Sequence, residues 1–124
     1  MRHGAPRARA GRRSGLAIIE LRGEVDGSAQ GVLNAAYAKA EDWGPPAILL
    51  DFRGVGYINS KGIALIVGLL SQARTSSTQL LASGLSEHYR EIFQITRLAD
   101  YITLYPDKQT ALLEGASIQE TVAI

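Results

Sequence analysis

Ser60 is the residue in this 124-residue chain whose neighbours best equip it for chemistry. It follows the stretch Arg53-Gly-Val-Gly-Tyr-Ile-Asn59, read as a tight loop, and directly precedes Lys61 and Gly62 at the start of a helix-periodic segment. A serine there can act as an N-cap, its hydroxyl accepting a backbone N–H of the first turn. It can also act as a phosphoacceptor. A phosphoserine would bring a charge of about −1.5 to −2 to the positive end of a helix dipole, which the domain itself would tolerate. A partner docked over that point with acidic or apolar groups would not. The two roles are compatible.

Other constellations fail on spacing. Gly54-Val-Gly56 before a helix suggests a nucleotide loop, but the dinucleotide fingerprint needs a third glycine where Asn59 stands. The Walker order Gly-Lys-Ser/Thr is reversed in Ser60-Lys61-Gly62. His88 stands beside Glu87 on a helix, where consecutive side chains point apart, and His3 lies among the terminal arginines. Asp51 ends a strand at the edge where α/β active sites gather, yet no second carboxylate is spaced to work with it. With no cysteine there is neither a thiolate nucleophile nor a cysteine zinc site. Nothing here assembles an enzyme, and no cofactor or metal is implied.

The elements that must position Ser60 follow from periodicity. Leu16–Arg22, Ala47–Phe52, Gln79–Ser83 and Tyr101–Tyr105 read as strands. Ser28 is placed to cap a helix in which Val32, Leu33, Ala36, Tyr37, Ala40 and Trp43 recur at three- and four-residue spacing, stopped by Gly44-Pro45-Pro46. Further helices are expected from Ser60 to about Thr75, from Ser86 to about Thr96, and from Pro106 to about Ala116. Strands alternating with helices predict one α/β domain with a mostly parallel sheet of four to five strands.

The helix after Ser60 is apolar nearly all round. Ile63, Ile66, Val67 and Leu70 supply one stripe for the sheet, which leaves Ala64, Leu65, Gly68 and Leu69 as a spare strip that is either covered by neighbouring loops or presented to a partner.

Charge divides the chain. Residues 1–15 hold five arginines and no acid, whereas residues 16–124 hold eight basic and twelve acidic side chains, so the net +1 conceals a basic tail on an acidic domain. The expected organisation is a disordered tail (1–15), a domain (16–116) and a frayed end (117–124). Removing such a tail should leave partner docking intact. Its arginines, without aromatics or a reading helix, give no specific nucleic-acid binding. The longest apolar run, Ile63–Leu70, is too short to span a membrane, and the absence of cysteine fits a cytoplasmic protein.

Gly23-Glu-Val-Asp26, then Ile48-Leu-Leu-Asp51-Phe-Arg-Gly54 and Tyr57-Ile-Asn59-Ser60-Lys-Gly62-Ile63, together resemble the STAS domain, and more narrowly the bacterial anti-sigma factor antagonists. Leu98–Pro106 and Ala111–Leu113 resemble that family's closing strand and helix. The resemblance implies a non-catalytic protein working by partner switching. An antagonist binds an anti-sigma factor that is also a serine kinase, frees a sigma factor, and is released when its loop serine is phosphorylated. Ser60 occupies the phosphoacceptor position. Glu24, Asp26, Tyr57, Asn59, Ser60, Lys61, Ala64, Leu65, Gly68 and Leu69 would form the docking face. The chain departs from the pattern at Asn59, where Asp is usual, and at Lys61, where Ser or Thr is common. These departures suit a second reading, a constitutive STAS scaffold docked on a transporter ATPase or within a stress-signalling particle. The family's first hairpin strand would fall within residues 5–14, as a poor edge strand or not at all.

Overall fold

Alternation of alanine with arginine gives the amino-terminal segment one face that can pack and one that cannot. In the computed structural model, which describes residues 4–123 and the side chains of residues 4–115, Arg7–Arg13 is an edge strand, β1. It pairs antiparallel with β2 (Leu16–Val25). Ser14 and Gly15 form the two-residue connection with φ of 53° and 79°, the left-handed pair that matches a hairpin's twist. Ala8 and Ala10 pack against the core. The expectation of a disordered tail is therefore corrected from residue 7 onward. The segment is too polar to read as a strand by hydrophobicity, but its period of two is a strand's. The part of that expectation covering residues 1–3 lies outside the described residues.

The sheet continues through β3 (Ala47–Ile58), β4 (Gln79–Ser83) and β5 (Thr103–Tyr105), all parallel to β2, in the spatial order β1-β2-β3-β4-β5. Four helices connect or cover it: α1 (Gln30–Asp42), α2 (Ser60–Thr75), α3 (Glu87–Ile95) and α4 (Lys108–Ala123). This is the α/β architecture expected. The backbone of α4 continues past residue 116, through most of the segment expected to fray.

Because side chains alternate across a strand, β2 and β3 present apolar residues to both faces. Ala17, Ile19, Leu21, Ile48 and Leu50 enter the larger core with Leu33, Tyr37, Ile66, Leu69 and Phe93. Leu16, Ile18, Ala47 and Leu49 form a smaller core with Leu81, Tyr105 and Ala111 of α4. Each fully buried Leu or Ile contributes about 1.5–3 kcal/mol of transfer free energy.

β3 is longer than its apolar run. Arg53–Ile58, expected as a tight loop, is extended and paired with Arg22–Val25. Gly54 serves close approach, since a Cβ there would lie 2.8 Å from Arg22 Cγ and 2.9 Å from the Leu21 carbonyl oxygen. Ser28 is likewise not a cap. It lies in a 3-10 turn (Gly27–Ala29) capped by Asp26, whose carboxylate accepts the Ser28 amide at 2.9 Å.

Candidate functional site

Two strand ends and one helix start create the site. Val25 pairs with Ile58 and Glu24 with Tyr57, so the β2 and β3 termini leave the sheet side by side. Asn59 N–H donates to the Val25 carbonyl oxygen at 3.2 Å, holding the crossover against β2. The next residue begins α2.

The cap of α2 is Asn59, which corrects the expectation for Ser60. Asn59 has extended backbone and its Oδ1 accepts the Gly62 amide at 2.9 Å. Ser60 is the first helical residue and is exposed. Among the described residues, no hydrogen bond engages its hydroxyl. Asn and Ser cap about equally well, so sequence could not choose between adjacent candidates. The first turn of α2 carries no acid, and exposed Lys61 adds a positive charge to the positive end of the dipole.

Glu24 and Asp26 reach the same place from β2. Asp26 accepts from the Ser28 hydroxyl at 2.5 Å as well as from its amide. These bonds, the hydroxyl's first, hold its carboxyl below the usual Asp range. A Cβ on Gly27 would lie 3.2 Å from Lys61 Cδ, so this turn touches the start of α2. A cleft of about 230 Å³ beside it includes Glu24, Asp26, Ser28 and Pro6.

The structure brings eight of the ten expected docking residues to this end of the fold or to the outer side of α2, and leaves Leu65 on its flank, packed in part against the core. Tyr57, Ser60, Lys61, Ala64 and Gly68 are exposed, while Glu24, Asp26, Asn59 and Leu65 are half-buried. Leu69 is the exception. It is 1% exposed and belongs to the core with Gly62, Ile66, Leu70 and Ala73. Val67, expected to pack on the sheet, is instead 46% exposed. The buried stripe is offset by roughly one residue because its small members, Gly62 and Ala73, carry little hydrophobic signal.

Tyr89 also serves the site, although its spacing shows only an apolar helix face. Its hydroxyl oxygen accepts the Ile58 amide at 2.9 Å, tying α3 to the β3 end just before Asn59. Asp51 is 6% exposed and accepts the Arg53 amide at 3.1 Å, a loop-bracing role. His88 is exposed and its ring lies edge-on to Tyr89. Among the described residues, no three His, Cys, Asp or Glu side chains gather as a metal would require, and no helix is long and apolar enough to cross a membrane.

A five-stranded, mostly parallel sheet whose second helix begins with an exposed serine beside the end of β2 is the architecture of a STAS domain. The family model for the STAS domain matches residues 7–111, and the chain belongs to that family. It is 28% identical over 92 residues to BtrV of Bordetella bronchiseptica, designated a candidate anti-sigma factor antagonist, covering 74% of this chain and 77% of that protein. The fold matches the crystal structure of an anti-sigma factor antagonist from Mycobacterium paratuberculosis with a TM-score of 0.76 at 19% identity, over 89% of this chain and 93% of that one. It also matches the antagonist SpoIIAA in its unphosphorylated form (TM-score 0.66, 18% identity, 97% and 100% of the two chains). The phosphorylated form, from Bacillus, matches with a TM-score of 0.63 at 20% identity, over 86% and 96%.

Proposed function

We propose that this protein is an anti-sigma factor antagonist that docks on an anti-sigma factor with serine kinase activity and is released when Ser60 is phosphorylated. One observation carries the reading: Asn59 does the capping, which leaves the Ser60 hydroxyl exposed at the first turn of α2. A capping hydroxyl would have to give up its backbone bond before reacting; this one does not.

The same geometry supports a switch. The helix dipole and Lys61 accommodate a phosphate within the domain. A partner covering Tyr57, Ala64, Val67 and Gly68 would meet a doubly charged group in a surface selected for apolar contact, and burying it unpaired is costly. The Glu24–Asp26 turn supplies the acidic rim of that surface. Release of the partner's sigma factor would follow from occupation of its antagonist face, in the cytoplasm where transcription is controlled.

Incubating the chain with its cognate anti-sigma kinase and ATP should add one phosphate by intact mass. Ser60→Ala should abolish the addition, and Ser60→Asp should weaken the complex at least tenfold. Equal incorporation in Ser60→Ala would remove Ser60 from the switch. Tight binding to a transporter ATPase, unaffected by Ser60→Asp, would establish the constitutive scaffold instead, the reading that Asn59 and Lys61 favour.

A further inference from the structure

We propose that the open edge of β1 is a second docking site, which takes an extended acidic segment of a protein partner as an added strand. β1 has a neighbour on one side only, so along its outer edge the backbone N–H and C=O groups that would face a further strand meet none among the described residues. Its side chains sort by alternation, with Ala8 and Ala10 turned to the core and Arg7, Arg9 and Arg13 on the face that carries α4.

That face is strongly basic. Arg7 lies directly opposite Arg22, and Arg9 opposite Glu20. Arg53 and Lys108 line the adjoining cleft with Arg22, Glu20 and Asp51. Six cations thus share the surface with three carboxylates, Glu20, Asp51 and Asp107, in a chain whose net charge is only +1. Glu20 is engaged by Lys108 at 3.7 Å, and Asp51 and Asp107 each accept a backbone amide. Among the described residues, no carboxylate lies within ion-pair distance of Arg7, Arg9, Arg13, Arg22 or Arg53. Like charges set directly opposite across a strand pair are unfavourable, so the Arg7–Arg22 pair is a site that an incoming anion would relieve.

The edge itself selects the occupant. A second copy of the chain pairing antiparallel through β1 would bring arginines against arginines, which disfavours self-pairing through this edge. An acidic strand advances at the same roughly 3.3 Å per residue as β1, so alternate carboxylates keep pace with alternate arginines. A cleft of about 500 Å³ wraps this edge, where Pro6, Ala8 and Val32 add apolar surface to Arg7, Arg9 and Arg22, with Glu20 as its one carboxylate. No aromatic side chain lines it, so the stacking that holds single-stranded nucleic acid is missing. Only a peptide can use both the donors and the acceptors of the strand edge.

Fluorescence anisotropy of nine-residue labelled peptides added to the full chain tests this. An alternating Glu–Thr peptide should bind saturably, and alternating Lys–Thr should not. Methylating the peptide's backbone nitrogens should weaken binding at least tenfold, as should Arg7→Gln with Arg9→Gln, both exposed positions that leave the melting curve in place. Without any variant, the bound peptide should slow hydrogen exchange at the outward amides of β1. Ser60→Asp should leave this binding unchanged, which separates it from the proposed switch. Equal affinity for the N-methylated peptide, tighter binding of oligothymidylate, or no binding of the Glu–Thr peptide at low salt would each overturn the proposal.

Discussion

The Tyr89 hydroxyl oxygen accepts the Ile58 amide at 2.9 Å, joining α3 to the end of β3 across 31 residues of sequence. Ile58 is the last residue of β3 and buried, and Asn59 and Ser60 follow it directly. Tyr89→Phe keeps the ring and its packing but leaves that part-buried amide without an acceptor. The expected cost is about 1–3 kcal/mol, measured as a shift in the urea midpoint at constant slope. If Tyr89 also positions the loop, phosphorylation of Ser60 should slow beyond what the melting curve accounts for.

Gly62 is required by proximity alone. A Cβ there would collide with the Val25 carbonyl oxygen, a backbone atom that cannot turn aside. Gly62→Ala should cost about 3 kcal/mol or more, although alanine is the better helix former. Gly68→Ala, open on the exposed side of the same helix, should be neutral or stabilising by up to about 1 kcal/mol. Equal melting temperatures for the two variants would contradict the packing of α2 on β2.

Tyr37 supplies a pH signature. Burial, and secondarily the charge of Glu41, pushes its hydroxyl up to about 12 from the ordinary 10. The unfolded chain therefore releases this proton first. The stability conferred by the neutral form is complete below pH 10 and declines between pH 10 and 12, by about 2–3 kcal/mol in total. Tyr37→Phe lacks this titration, and the wild type should lose stability relative to it over that window. At pH 7 the variant should be neutral or more stable by up to about 1 kcal/mol, because the buried hydroxyl meets no hydrogen-bond partner among the described residues.

Deleting residues 1–13 should not be silent. It removes β1 and uncovers the edge of β2 beside Ala17, Ile19 and Leu21, an exposed apolar edge of the kind that aggregates. A shift of the wild-type peak to aggregate in size-exclusion chromatography is expected. Arg7→Thr with Arg9→Thr should leave stability within about 1 kcal/mol of wild type, since pairing and not charge holds the strand. A soluble, fully stable deletion would show that β1 contributes nothing to the fold.

What the sequence determined by itself was whatever is local. Apolar runs, turn residues and the order Asn59-Ser60-Lys61-Gly62 specified the elements and put a serine hydroxyl at a helix start, because propensity and periodicity act within a few residues. Contacts distant in sequence were decided only in three dimensions. β1 became a strand because β2 offered a partner and the core offered a place for two alanines. Asn59 took the cap from Ser60 through a choice between adjacent side chains that propensity cannot separate. Leu69 turned inward and Val67 outward because Gly62 had to meet Val25, which sets the rotation of α2 on the sheet. Three of the arginines that looked like a tail, Arg7, Arg9 and Arg13, were placed with Arg22 on one ordered face, while Arg12 was turned to the other, over Trp43, since strand register determines which charges share a surface.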